Sequence, residues 1–350
     1  MNAGRPVETR LHWWWVGGAA LALVVALIAG VMIGVADVSP MDVVRSTLDR
    51  LPFVNIDTGM TVREEAIIWQ IRMPRVILGV VVGSMLSASG AAYQGVFRNP
   101  LADPYLLGAG AGAGLGATLA IAYGPSTADW LVDPLPLAAF VGAVVGVSAA
   151  YLLGYTIRSG RTSVTLILAG VAVAAFLTAL QTFVQQRESE TLQEVYGWIL
   201  GSLNTAGWGE VRLVAPYVAV ALAVVFGGRR LLDVLSVGDT DASTLGVRPG
   251  RIRLVIVIFA TLGTAAVVAV SGLIGFVGII VPHTVRLLTS GSYRVIVPLS
   301  IFLGGVFLVL ADIIARTAVA PAEIPIGVVT AFFGAPFFAI VLRTSKAVVS

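Results

Sequence analysis

Charge in this chain is confined to narrow bands. Between the bands, no Asp, Glu, Lys or Arg occurs over 11–36, 76–97, 104–128, 134–157, 162–186, 213–228, 254–285, 295–311 and 324–342. A helix needs roughly 20 apolar residues to cross the hydrocarbon core, and most of these runs reach that length. A helix at a water boundary needs a polar face, which these runs cannot supply. With 12% charged residues, against about 25% in soluble domains, the chain is predicted to be an all-α polytopic membrane protein, one transmembrane domain over 1–350.

Composition excludes several chemistries. Cysteine is absent, which removes disulfides, thiolate metal sites and cysteine nucleophiles. The two histidines, His12 and His283, lie far apart, so no histidine metal cluster is expected. Lys346 is the one lysine, and a phosphate-binding P-loop needs a Lys after its glycine turn. Any ATP that drives this protein therefore binds elsewhere.

The first charge-free run is too long for a signal-peptide core, which spans roughly 7–15 residues, and reads as the first span. Trp13, Trp14 and Trp15 suit an interfacial anchor. The 32 residues of 254–285 would make a helix of about 48 Å. Gly272, Gly275, Gly278 and Pro282 break that run, so two crossings are expected there. Ten spans with both termini cytoplasmic then place 14 of the 22 basic residues inside, Arg98, Arg158, Arg229, Arg253 and Lys346 among them, as the positive-inside rule requires. The segments 37–75 and 187–212 are expected outside, with a short amphipathic helix near Glu194–Leu203. The largest inside segment is 229–253. A loose internal repeat relates Ile71–Leu107 to Arg251–Leu287 through the pairs Ser89-Gly90 and Ser271-Gly272, as in inverted transporter repeats.

Several segments stand out locally. Arg98-Asn99-Pro100-Leu101-Ala102-Asp103-Pro104 is a polar turn bracketed by prolines, through which no helix can run. Gly238-Asp239-Thr240-Asp241-Ala242-Ser243-Thr244-Leu245-Gly246-Val247 opens on helix-capping residues and closes on a glycine stop. The glycines Gly108 to Gly116 suit close helix packing. Gln181, Gln185 and Gln186 are candidates for facing a wet pathway, because buried amides in lipid are costly unless paired. His283, beside Pro282, reads as structural.

Together with Ile71-Arg72-Met73-Pro74-Arg75, the stretch Ser89–Gly108 resembles the FecCD family, permeases of type II ABC importers for iron–siderophore complexes, haem and cobalamin. Ser271-Gly272-Leu273-Ile274-Gly275-Phe276, Ala311-Asp312-Ile313-Ile314-Ala315-Arg316 and Glu323-Ile324-Pro325-Ile326-Gly327 extend the likeness from about 65 to 343. The resemblance implies ten helices per subunit in a dimer with a second permease, identical or paralogous. It also implies two cytoplasmic ATPase subunits that carry the ATP and Mg, and one external substrate-binding protein. No cofactor on this chain and no nucleic-acid partner are expected; membrane lipid is. The expected place is the cytoplasmic (inner) membrane.

By the same resemblance, Asp239, Asp241, Ala242, Leu245 and Gly246 belong to a coupling helix that receives force from the ATPase. Arg72, Arg75 and Arg316, at outer helix ends, would dock acidic residues of the binding protein. Pairing with the local acids Glu64, Glu65, Asp312 or Glu323 is the alternative. Asn99, Leu101, Thr162 and Ser163 match segments that gate the inner mouth, where a plain turn role remains open. An ion-coupled transporter would need an ionisable group at the midplane, and none of the charge-free runs has one. An intramembrane enzyme would need a nucleophile and base or a metal set, and the residue inventory argues against it. The expected cargo is an iron–siderophore complex or haem, with cobalamin as the alternative.

Overall fold

The computed structural model describes residues 10–34, 39–50, 59–124, 134–156 and 163–346. Among these residues the chain is helical, with no strand. The helices are α1 Trp13–Met32, α2 Pro40–Asp49, α3 Val62–Ala66, α4 Met73–Phe97, α5 Ala109–Tyr123, α6 Pro134–Thr156 and α7 Ser163–Arg187. They continue as α8 Leu192–Ile199, α9 Trp208–Ser236, α10 Asp239–Thr244, α11 Pro249–Ser271, α12 Val277–Leu288, α13 Tyr293–Thr317 and α14 Ile326–Lys346. Seven helices are long and apolar enough to cross a membrane, and Ala109–Tyr123, Val277–Leu288 and Ile326–Val341 form three shorter apolar segments.

The sequence around α4 explains its length. A capping box between Thr61 and Glu64 starts α3, and a π-helical stretch, Ile67–Arg72, joins it to α4 without a break. The continuous helix Val62–Phe97 therefore begins well before the charge-free run at Val76. It stops at Arg98, which adopts the left-handed conformation at φ 51°, with Pro100 two residues on.

Helix α4 is the axis of the bundle, 83% buried along its most apolar window, and α13, α11, α9 and α12 pack around it. Two crossings depend on the absence of a side chain. A Cβ on Gly83 would lie 2.2 Å from the Gly304 carbonyl oxygen, and one on Gly90 would lie 2.0 Å from that of Gly278. Backbones this close suit a membrane interior, where packing rather than water expulsion holds helices together. The glycine run in α5 serves the same end: Gly112 and Gly116 sit against α6 at Gly142 and Ala138.

Three expectations change. The run 254–285 does break in two, at Gly272 (φ 67°), but α12 has only 12 residues and spans about 18 Å. It starts alongside Gly90, deep in the bundle, so the second half of the run is the non-helical stretch 272–276 followed by a short helix rather than one full-length helix. The segment 229–253 holds more helix than the one short helix expected there: α9 runs on to Ser236, two turns past the apolar run, and α10 and the start of α11 take up most of the rest. The Ser-Gly pairs of the suggested repeat are not equivalent, since Ser89-Gly90 lies inside α4 while Ser271-Gly272 ends α11. The short amphipathic helix is α8, ended by Gly201 at φ 73°.

Candidate functional site

One end of the bundle gathers the three arginines that the sequence singles out. Arg75 donates Nε and Nη2 to Asp312 at 3.0 and 2.9 Å and binds Glu323 through Nη1 and Nη2 at 2.9 Å. Arg316 faces Asp312 at 3.4 Å and donates to the Gly30 carbonyl. Arg72 donates Nη1 to the carbonyls of Val31 and Met32 at 3.0 and 3.2 Å. All three are buried, Arg75 at 8% exposure and Arg72 and Arg316 at 4% each. The Arg75 contact also holds the Glu323 carboxyl below its ordinary range.

The cluster therefore ties together α1, the π stretch, α4, α13 and the α13–α14 connection. Of the local acids considered above, Asp312 and Glu323 are the partners. Glu64 instead caps its own helix, and Glu65 pairs with Arg50 at 3.0 Å. In this conformation the arginines are interior, Arg75 and Arg316 against carboxylates of the same bundle and Arg72 against the carbonyls that end α1.

The opposite end carries α10. Gly238 at φ 125° and Gly246 at φ 78° bracket it, since the chain must turn sharply into and out of a six-residue helix. Ala242 faces inward and is fully buried; Asp241 and Leu245 face out, Leu245 with 66% exposure. Asp239 points back to the bundle, 3.0 Å from Arg253 of α11 and 3.5 Å from Arg98 at the end of α4. Thus α10 is tied to the residue that opens the segment 98–103.

That segment is a compact turn. Asn99 Oδ1 accepts the Leu101 N–H at 3.0 Å, and Asp103 Oδ1 accepts the Tyr105 N–H at 2.9 Å to cap the 3-10 turn Pro104–Leu107. Asp103 is buried, and burial pushes its carboxyl up to about 6. Asn99 and Leu101 thus share one turn, whereas Ser163 begins α7 and Thr162 lies outside the described residues. Two residues at this end carry no sequence signal of their role. Asp233 of α9 accepts from Ser292 Oγ at 2.8 Å and from the Tyr293 N–H at 2.6 Å, capping α13. Gln94 donates to the Gly278 carbonyl at 3.0 Å.

Between the two ends, Gln181 and Gln185 of α7 line a cleft of about 470 Å³ together with Thr178, Thr182, Tyr105 and Tyr196. Its walls are hydroxyls, amides and small apolar groups, with no charged side chain among the described residues that line it. Gln181 is buried against Gly114. Gln186, next to Gln185, is exposed.

A family model for the FecCD transport family matches residues 22–344. The chain belongs to that family. The cobalamin import system permease protein BtuC of Halobacterium salinarum is 41% identical over 287 residues, covering 81% of this chain and 75% of that protein. The Fe(3+)-citrate import system permease protein YfmD of Bacillus subtilis is 34% identical, covering 99% and 98%. The iron(3+)-hydroxamate import system permease protein FhuB of the same organism is 38% identical over 280 residues, covering 80% of this chain and 72% of that protein. Among solved structures, an inward-facing conformation of a metal-chelate type ABC transporter superposes with a TM-score of 0.81 at 27% identity, covering 95% of this chain and all of that one. This FecCD protein is therefore an ABC importer permease, a multi-pass protein of the inner membrane. Permeases of this family work with ATPase and binding-protein partners.

Proposed function

We propose that this chain is one half of a permease dimer that moves an iron–siderophore complex or haem across the inner membrane by alternating access. ATP is hydrolysed on two partner subunits. The single observation that carries the mechanism is the Asp239 contact set. A push on α10 reaches Arg98, and so the turn at Asn99 and Leu101, through one ion pair at 3.5 Å. In this reading Asp241, Leu245 and Gly246 face the ATPase, while buried Ala242 seats α10 on the bundle. Asn99, Leu101, Thr162 and Ser163 form the inner gate.

The seven long and three shorter apolar helices support ten membrane segments, and the arginine distribution supports cytoplasmic termini. The neutral cleft at Gln181 and Gln185 suits a bulky chelate. Hydroxyls and amides offer many weak contacts and no deep electrostatic trap. A second permease copy would supply the facing wall. Arg72, Arg75 and Arg316 gather at the end opposite α10, and in this reading that end meets the acidic surface of the binding protein, where charge complementarity speeds encounter.

Cobalamin is the second reading, favoured by the Halobacterium salinarum relative. Reconstitution with the co-purified ATPase and binding protein tests both. ATP-dependent uptake of radiolabelled ferric citrate or ferric hydroxamate, with none of cobalamin, is the expected result. Cobalamin uptake alone would reverse the cargo assignment. Recovery of the permease without an ATPase would remove the mechanism.

A further inference from the structure

Beside α10 the surface opens into a cavity of about 640 Å³ whose wall carries Arg248, Arg251 and Arg253. Tyr151 and Leu254 line this cavity and also a second groove, of about 370 Å³, between α6 and α11. The two spaces thus adjoin one another across these two side chains. The second is walled mainly by apolar side chains such as Val144, Val147, Leu152 and Ile258, and follows both helices toward mid-span.

The mouth is built for an anion. Arg248 and Arg251 are exposed and make no ion pair with a described residue. Arg253 gives Nη2 to Asp239, yet its Nε–H is buried with no acceptor. A buried donor left without an acceptor is costly. The positive end of the 23-residue α11 points at the same place. A soluble anion or an acidic protein side chain could use the arginines but would leave the apolar groove open. A phospholipid answers both halves, and basic pockets between membrane helices on the cytoplasmic side are where such headgroups bind.

We propose that this groove binds an anionic phospholipid of the cytoplasmic leaflet, with its phosphate at Arg248, Arg251 and Arg253 and an acyl chain between α6 and α11. The lipid headgroup then lies against Ser243 and Val247, which line the same cavity, and braces α10 from the membrane side. The proposal goes beyond the transport reading and rests on it only for the choice of leaflet.

Native mass spectrometry of the detergent-solubilised permease, with phosphatidylglycerol and phosphatidylcholine of matched chains, tests it. The expected result is preferential retention of phosphatidylglycerol. Arg248→Gln with Arg251→Gln should cut that preference about thirtyfold, from about fivefold for each basic side chain at a membrane surface. Ile258→Trp, which fills the groove and leaves the arginines alone, should reduce lipid retention without altering displacement of the headgroup by inorganic phosphate. If the arginine pair misfolds, as judged by gel filtration, the Trp variant carries the test alone. Equal retention of the two lipids overturns the proposal. Phosphate binding with no effect of Ile258→Trp on lipid would make this a free-anion site. Complete loss of lipid when the ATPase subunit binds would assign the arginines to that partner. Failure of the importer reading would be seen separately, as absence of a co-purifying ATPase.

Discussion

Arg75 holds two carboxylates at once, with side-chain exposures of 10% for Arg75 and 3% for Asp312. Removing one member of such a pair strands the other in a low-dielectric interior, at a cost of about 3–5 kcal/mol, whereas replacing both can be nearly neutral. Asp312→Leu alone should therefore lower the thermal midpoint of the solubilised permease sharply, and Arg75→Met with Asp312→Leu should restore part of it, the remainder reflecting Arg316 and Glu323, which lose the same partners. Equal damage from the single and double changes would mean that the pair is not the unit that matters. Asp103 tests burial by a second route. Its folded-state pKa of about 6 lies above the ordinary ~3.9, so the folded chain holds the proton more tightly than the unfolded one. That contribution is fully present below about pH 4 and is lost as pH rises to about 6. Asp103→Asn keeps an acceptor for the Tyr105 N–H and should flatten stability between those pH values, gaining about 3 kcal/mol above them. An unchanged pH profile in a thermal-shift titration would show that Asp103 is hydrated. The sequence marks the three arginines as out of place for their helix ends. Their burial is not legible there, because Asp312 lies 237 positions from Arg75 and charge patterning carries no information about which distant carboxylate arrives.

Charge-free runs locate the centres of the helices well, because lipid tolerates few charges at any point of a span. They locate the ends poorly. Helices α4 and α9 both extend past their runs, since charged residues such as Arg75, Arg229 and Arg230 are compatible with a helix once it leaves the hydrocarbon. The π stretch Ile67–Arg72 is invisible for a related reason: its residues are ordinary helix formers and only the backbone register differs. Helix α10 was the better-marked case, because its two glycines and its acidic start are local signals. Its two faces now make opposite predictions. Leu245→Arg sits on an exposed face, so stability should move by no more than about 0.5 kcal/mol while coupled uptake is lost. Asp239→Arg should break the contacts to Arg98 and Arg253, and Arg98→Asp introduced with it should recover part of the coupling. The assay is transport per ATP hydrolysed in proteoliposomes. Normal coupling in Leu245→Arg would remove α10 from the force path, and no recovery in the swapped pair would remove Arg98 from it.

For the whole molecule, orientation follows from arginine counting, and the structure adds which surfaces share an end. Arg98, Asp233, Asp239, Arg253 and Arg294 form one polar end, joined by ion pairs. Arg72, Arg75, Asp312, Arg316 and Glu323 form the other. The first is the cytoplasmic side in the proposed topology, because the inside basic excess falls there. Absence of cysteine makes this directly measurable with single-cysteine variants on a silent background. Leu245, 66% exposed next to α10, and Tyr196, 55% exposed on α8, tolerate a small side chain without loss of packing. A membrane-impermeant maleimide should label Leu245→Cys in inside-out vesicles and not in right-side-out cells, and Tyr196→Cys in the reverse pattern. A reversed pattern would invert the topology and put α10 where no cytoplasmic ATPase could reach it. Labelling of both from one side would mean that the chain between α8 and α10 does not complete its crossing, which the 29-residue α9, about 43 Å long, is built to make.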